Sequence, residues 1–202
     1  TVMNYPFRAA VKGFLCEGLG SREFFSTLAA LRAGYRRAPH GCLWNLVGSH
    51  DTPRFLTLAQ GDKSLLRMAA LIQMTFPGAP FIYYGDELAM EGGRDPDCRR
   101  GMAWDEGDRA MTSYVTSLIA ARKKHPVLRY GEFEALESPD GILACRWSYG
   151  KSEAVVLVNI SAAPFSCSAG GEWLDPITGE RLSGVLSAAP GEGRVFVRSE
   201  IS

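Results

Sequence analysis

His50 and Asp51 stand side by side in the stretch N-L-V-G-S-H-D-T-P-R, residues 45 to 54. An imidazole can donate a hydrogen bond from one ring nitrogen whichever tautomer is set, and a carboxylate accepts several. Such a pair can grip hydroxyl groups, and its fixed negative charge can steady a positive charge developing nearby. The bland alternative is a satisfied core histidine beside a helix N-cap. The rest of the chain decides between them. Leu43, Leu46 and Val47 lead into Gly48-Ser49, a short apolar run ending in small residues, which reads as a buried strand of a parallel sheet. Polar groups at the carboxyl end of such a strand lie where an α/β barrel builds its active site.

Other candidates lie further on. Arg54 follows Asp51 by three residues and has two open roles, an ion pair with a carboxylate at the barrel mouth or a substrate contact. It is counted here with the substrate-binding candidates. Asp95 and Arg99 sit four apart in a glycine-rich loop, where the alternative is an exposed ion pair of little consequence. Asp86 and Glu87 close a strand-like run, a place that invites a catalytic role. Asp95-Pro96-Asp97 offers too few oxygen ligands for calcium, so no metal is expected.

The elements that must hold these residues follow from periodicity. Thr1–Asn4 is short and mostly apolar, and Pro6 ends it. Ala9 to Leu15 has helical spacing, stopped by Gly18 and Gly20, and Ser21 suits the N-cap of a second helix carrying Phe24, Phe25, Leu28 and Leu31. Pro39-His40-Gly41 leads to the strand before Gly48, completing a β-α-α-β crossover. Asp62 can cap a helix over Lys63–Thr75, Pro77-Gly78 breaks it, and Phe81–Tyr84 is the next strand. Strand, helix, strand in this order fits the last third of a (β/α)8 barrel. Residues 88–107 form a long loop, which in a compact domain tends to be functional. A last helix covers Arg109–Lys124, and Pro126 stops it.

Beyond Val127 the character changes. Short strands over Glu132–Glu137, Ile142–Ser148, Val155–Ile160, Glu172–Leu174 and Arg194–Arg198 alternate with turns such as Pro139-Asp140-Gly141, Gly150-Lys151-Ser152 and Asp175–Gly179. That spacing is the signature of an antiparallel β-sandwich. The predicted fold class is therefore α/β plus all-β, with a barrel part over residues 1–126 and a sandwich domain over 127–202.

Composition narrows the partners. Lys+Arg and Asp+Glu both number 22, a balance that argues against nucleic acid or an anionic membrane surface. With 46% hydrophobic residues the chain can bury a core. The cysteines are odd in number and scattered, with no C-x-x-C, which suggests neither a disulfide framework nor a zinc site and points to a reducing, cytoplasmic compartment. No apolar run is long enough for a transmembrane helix.

G-S-H-D-T-P-R, with P-G-A-P-F-I-Y-Y-G-D-E (residues 77–87), G-G-R-D-P-D-C-R-R-G-M-A-W-D (92–105) and the upstream M-N-Y-P-F (3–7), resembles the alpha-amylase family of glycoside hydrolases. Within it the similarity is to the cyclomaltodextrinase, neopullulanase and maltogenic amylase branch. The resemblance implies barrel strands six to eight followed by a small β domain, and hydrolysis of α-1,4 bonds of cyclodextrins, pullulan or maltooligosaccharides without an organic cofactor. Retaining glycosidases use two carboxyl groups roughly 5 Å apart around an oxocarbenium-like state. To Asp51 the resemblance gives the role of a third, charge-stabilising carboxylate, and to His50 that of a hydrogen-bonding partner for the same sugar. Asp95 and Arg99 would hold a sugar further along, and Asp86 and Glu87 would be structural. Trp44 and Trp104 are of a type more often found in cores, although either ring could stack on glucose.

The family's nucleophilic Asp, in a G-x-R-x-D motif, and its acid/base Glu both precede the matching region, and neither motif occurs here. The expectation is a C-terminal fragment of an alpha-glucan hydrolase that is inactive alone and associates into a homo-oligomer. The alternative is a non-catalytic, alpha-amylase-like carbohydrate-binding or transporter-associated module.

Overall fold

The computed structural model describes residues 2–34 and 43–199. Thr1, the Pro39-His40-Gly41 passage and Cys42 lie outside the described residues. Three short strands, β1 (Val2–Asn4), β2 (Leu43–Leu46) and β3 (Ala79–Phe81), form a parallel sheet in that order. Val2 to Asn4 pair with Leu43 to Asn45, and Trp44 to Leu46 pair with Ala79 to Phe81.

Strand β1 passes directly into helix α1 (Tyr5–Cys16), four residues earlier than the pattern predicts. The Asn4 side chain accepts from Phe7 N at 3.1 Å, an N-cap, and Pro6 sits in the first turn, where its missing N–H costs nothing. In α2 (Ser21–Gly34) Ser21 is the first helical residue, and its hydroxyl donates to the Pro139 carbonyl. A short helix α3 (Phe55–Leu58) follows β2. Helix α4 (Lys63–Thr75) begins where Asp62 caps it, its carboxylate accepting from Ser64 N at 2.7 Å.

Strand β3 lies two residues before the predicted Phe81–Tyr84, because the short β2 reaches no further than Phe81. Pro80 has no N–H to give the sheet, which suits an edge strand. Helices α5 (Arg109–Lys124) and α6 (Val127–Tyr130) close this half. Phe7, Phe14, Phe24, Phe55, Leu66, Leu71 and Leu118 are buried in its core. Each such side chain contributes about 1.5–3 kcal/mol relative to exposure. On the sheet's other face Trp44 is 40% exposed and stacks on Phe81, with ring centroids 5.6 Å apart.

Strands this short leave few ladder bonds, and buried side chains add to them. Asn4 Nδ2 donates to Asn45 Oδ1 at 2.9 Å, and Asn45 Nδ2 donates to the Pro77 carbonyl at 3.1 Å. Gln73 Nε2 donates to the carbonyls of Asn45 and Phe81. Arg122, also buried, donates to the carbonyls of Met74, Leu128 and Gly78, tying α4, α5 and α6 together. Burial pulls its guanidinium down to about 10.

The remaining chain is a six-stranded sheet in the order β4-β5-β6-β9-β7-β8. Its strands are β4 (Glu132–Ala135), β5 (Ile142–Tyr149), β6 (Ser152–Asn159), β7 (Phe165–Leu174), β8 (Arg181–Ala188) and β9 (Glu192–Ser199). The ladder is continuous, although β7 meets β9 only at Leu174 and Val197. Alternation gives the sheet two apolar faces. Leu143, Cys145, Trp147, Val156 and Val195 join the helical core. Ile142, Ala144, Val155, Leu157 and Phe196 form a second core with Trp173, Leu186 and Ala188 of the β7–β8 hairpin. Helix α4 meets β9 where Gly193 has no side chain: a Cβ there would lie 2.8 Å from Leu71. No helix among the described residues is long and apolar enough to cross a membrane.

Asn45→Ala removes the amide between Asn4 and Pro77 and leaves the buried Asn4 amide and the partly buried Pro77 carbonyl without that partner. A loss of about 1–3 kcal/mol for each orphaned group is expected, read as a lower urea midpoint. An unchanged midpoint would show that these amides do not secure the sheet.

Candidate active site

The end of β2 opens into residues 47 to 54, and this turn is held from several sides. Arg8 Nε donates to the Val47 carbonyl at 2.9 Å and Arg8 Nη2 to the Pro53 carbonyl at 3.0 Å. Burial lowers the Arg8 guanidinium below its ordinary value. Arg54 N donates to the Gly92 carbonyl, which fixes the turn to the glycine-rich loop. Behind the turn lies Asp86. A Cβ on Gly48 would come within 2.3 Å of Asp86 Oδ2, so only glycine lets the carboxylate and the strand end approach this closely.

Asp86 faces Arg54, whose Nη1 lies 3.3 Å from Asp86 Oδ1 and also donates to the Tyr84 carbonyl at 2.8 Å. The Arg54 guanidinium lies over the rings of Tyr83 and Tyr84, 4.8 and 4.9 Å from their centroids. Its side chain has no exposed surface. A group so enclosed cannot reach a sugar, so the substrate contact expected of Arg54 is corrected to internal support. Loss of hydration outweighs the attraction of Arg54 and pushes the Asp86 carboxyl up to about 7.

In front of the turn His50 and Asp51 are half exposed, with His50 Nε2 3.2 Å from Asp51 Oδ1. The loop over residues 88–107 is not structureless: a 3-10 turn at Asp86–Leu88 leads into it and a second at Asp97–Arg99 lies within it. Asp97 ties the second turn down. Its carboxylate accepts from Gly93 N at 2.5 Å and from Arg100 Nε at 2.6 Å, contacts that hold it below the usual carboxylate range. Cys98 is buried and its Sγ reaches the His50 carbonyl at 3.2 Å.

This turn delivers Arg99 to the strand end. Arg99 Nε lies 3.0 Å from the His50 carbonyl and 2.9 Å from Asp95 Oδ1, and Arg99 Nη2 lies 3.5 Å from Asp51 Oδ1. Four of the five candidates, His50, Asp51, Asp95 and Arg99, therefore form one polar cluster. Tyr5 completes it from α1, its hydroxyl 3.5 Å from Asp51 Oδ2 and 3.4 Å from Ser49 Oγ. M-N-Y-P-F carries no spacing signal for that role. Nor does Trp44 or Trp104 take a core position: Trp44 is partly exposed and Trp104 largely so. No cluster of His, Cys, Asp or Glu able to hold a metal is found among the described residues.

The alpha-amylase catalytic domain matches residues 1–126. A cyclomaltodextrinase of Geobacillus thermopakistaniensis is 38% identical over 192 residues, covering 90% of this chain and 33% of that protein. Neopullulanase 2 of Thermoactinomyces vulgaris is 37% identical over 195 residues, covering 91% and 33%. The solved alpha-amylase of Geobacillus thermoleovorans, complexed with acarbose, superposes with a TM-score of 0.87 at 26% identity, covering 98% of this chain and 48% of that one. The chain spans about a third of the length of these curated relatives. It belongs to the alpha-amylase family of glycoside hydrolases.

Asp86 gives a pH prediction. Its folded pKa, about 7, lies above the ordinary 3.8, so the folded form holds the proton more tightly than the unfolded one. The stability of the parent sequence relative to Asp86→Asn should fall as pH rises from 3.8 to about 7, and level off above. Urea titrations of both proteins across that range test it; a constant difference would mean that folding leaves the Asp86 pKa unchanged.

Proposed function

We propose that the chain provides the charge-stabilising and sugar-holding part of the active site of a retaining alpha-glucan hydrolase. It would act on the α-1,4 bonds of cyclodextrins, pullulan or maltooligosaccharides. The observation that carries this reading is the convergence of His50 and Asp51 with Asp95 and Arg99, from motifs more than forty residues apart, through the single guanidinium of Arg99. As the bond to the leaving group breaks, positive charge grows on the anomeric carbon and ring oxygen. The Asp51 carboxylate, fixed beside it, stabilises that charge, while His50 donates to a ring hydroxyl and Asp95 with Arg99 grips a neighbouring sugar.

In this reading residues 1–126 supply barrel strands six to eight, and residues 127–202 form the following β-sandwich. The end of the family match at residue 126 and the second core under the β7–β8 hairpin support that division. The nucleophile and acid/base would be contributed by sequence outside this chain. A reducing, cytoplasmic setting belongs to the same proposal, supported by the free thiols of Cys16, Cys98, Cys145 and Cys167.

The purified 202-residue chain should not hydrolyse cyclodextrin or maltotriose. In a full-length enzyme carrying it, Asp51→Asn should lower kcat far more than it raises KM, by roughly 10²–10³-fold. Asp95→Ala or Arg99→Ala should mainly weaken substrate binding. Near-normal kcat in Asp51→Asn would remove the stabilising role.

The open sheet face motivates one more expectation. Trp44 and Tyr84 are partly exposed, and β1 and β3 each have an unpaired edge among the described residues. Apolar faces and free edges of this kind associate. The isolated chain is therefore expected to form a homo-oligomer, most simply a two-fold dimer, by light scattering at micromolar concentration. A stable monomer that unfolds cooperatively would exclude it.

A further inference from the structure

A cleft of about 790 Å³ lies between the α3–α4 turn and residues 100–107, and none of His50, Asp51, Asp95 or Arg99 lines it. Its volume is that of a small-ligand site. Leu56, Leu88 and Met90 contribute buried apolar surface to its lining, whereas Glu91, Asp105 and Glu106 are exposed. Both cations of the lining are already engaged by carboxylates outside it: Lys63 Nζ is 2.7 Å from Asp108 Oδ2, and Arg100 pairs with Asp97. Glu91, Asp105 and Glu106 form no hydrogen bond or ion pair with their side chains among the described residues. The free charge of the cleft is therefore negative, which disfavours phosphate, nucleic acid or any other anion.

Trp104 also lines this cleft and is 69% exposed, more than any other large hydrophobic residue described. It is not a loose side chain on a loose loop. Its backbone N–H donates to the Met102 carbonyl at 3.1 Å, and its backbone carbonyl accepts from Arg109 Nη2 at 3.1 Å. The ring is presented from a fixed backbone, which reduces the ordering cost of a contact. An indole face is electron-rich and apolar with a polar edge. A pyranose has the matching surface: one face of C–H groups and a rim of hydroxyl donors. Carboxylates around the ring would accept from those hydroxyls.

We propose that this cleft is a second glucan-binding site, in which Trp104 stacks on a glucosyl ring and Glu91, Asp105 and Glu106 accept from its hydroxyls. The choice of ligand rests on the alpha-glucan reading of the site above. The cleft begins one residue beyond Arg99, so one loop serves both sites and a long glucan held at Trp104 is kept near Asp51.

Titration of the 202-residue chain with maltoheptaose, followed through ¹⁵N-labelled tryptophan indoles and backbone amides, tests this. The Trp104 indole signal, assigned by its loss in Trp104→Phe, should shift saturably, and should do so equally in Asp51→Asn. Trp104→Ala should weaken this binding roughly tenfold, the scale of one lost ring-stacking contact, as read at the amides of residues 100–107. The indole signals of Trp44, Trp147 and Trp173 report that the variant stays folded. Shifts confined to the amides around His50 and Arg99 would overturn this second site and leave the candidate active site standing. No shift anywhere would overturn both. A Trp104 signal that moves with an oligolysine peptide but not with maltoheptaose would replace the sugar by a basic peptide and overturn the inference.

Discussion

A buried carboxylate pressed against a glycine organises the half of this chain that matches the alpha-amylase catalytic domain. Asp86 occupies the space where a side chain on Gly48 would be, and Gly48 is two residues before His50. Burying Asp86 is unfavourable in itself, and the single 3.3 Å contact with Arg54 does not fully offset it. Among the described residues, Arg54 Nε and Nη2 and Asp86 Oδ2 have no hydrogen-bond partner. A pair of this kind gives little net stability but is costly to break, because either partner alone would be an uncompensated buried charge. Its value is positional. Arg54 joins the Tyr84 carbonyl, the two tyrosine rings and the Gly92 carbonyl, so the strand end and the glycine-rich loop cannot shift independently.

The same logic runs through the parallel sheet. Its strands are too short for backbone ladders to set the spacing alone; Asn45, Gln73 and Arg122 satisfy carbonyls that helices and strands leave over, while Asn4 caps α1 and donates to the Asn45 side chain. Unpaired, such groups are expensive; paired, they fix where each strand stops. His50 and Asp51 depend on that, since both sit just past the last ladder residue of β2. Arg99 adds an electrostatic constraint, a single cation shared by Asp51, Asp95 and the His50 carbonyl. It relieves repulsion between the two carboxylates while leaving both half exposed and available for hydroxyl groups.

Local signals were legible in the sequence and distant ones were not. Asp62 and the apolar stripe behind it define α4 at both ends, as Pro126 and the stripe from Met111 to Ile119 define α5. These depend only on neighbours within a turn. Strand β3 is displaced from the prediction because its limits are set by β2, a partner more than thirty residues away. Strand β8 is absent from the prediction and β7 is shortened to Glu172–Leu174; Gly170 and Gly171, both at positive φ, lie where the β7–β8 register shifts between Ser168 and Glu172, which breaks the alternation a strand would show. At the site, adjacency drew attention to His50 with Asp51, whereas Asp95 with Arg99 stood out through the family resemblance, their i,i+4 spacing alone fitting an ordinary surface ion pair. Burial decided Arg54, and burial is a property of the folded whole: nothing in T-P-R says whether an arginine points inward. Tyr5 escaped for the same reason, because its hydroxyl meets Asp51 only across the β1–β2 pairing.

The exposure of Asp51 bears on how much chemistry this cluster can support by itself. Two charges 4 Å apart interact by about 1 kcal/mol in water and about 4 kcal/mol at the effective dielectric of a protein surface. With its side chain 56% exposed, Asp51 is close to the first limit. A carboxylate stabilises a developing cation strongly only where water is excluded and the charge is held without reorganisation. The second condition is met, through Arg99, Tyr5 and the buried clamp behind Gly48. The first is not, because the face bearing Trp44 is open. In the proposed role, the stabilisation Asp51 could give therefore depends on whatever covers that face, and the geometry of the cluster is a prerequisite for it rather than its source.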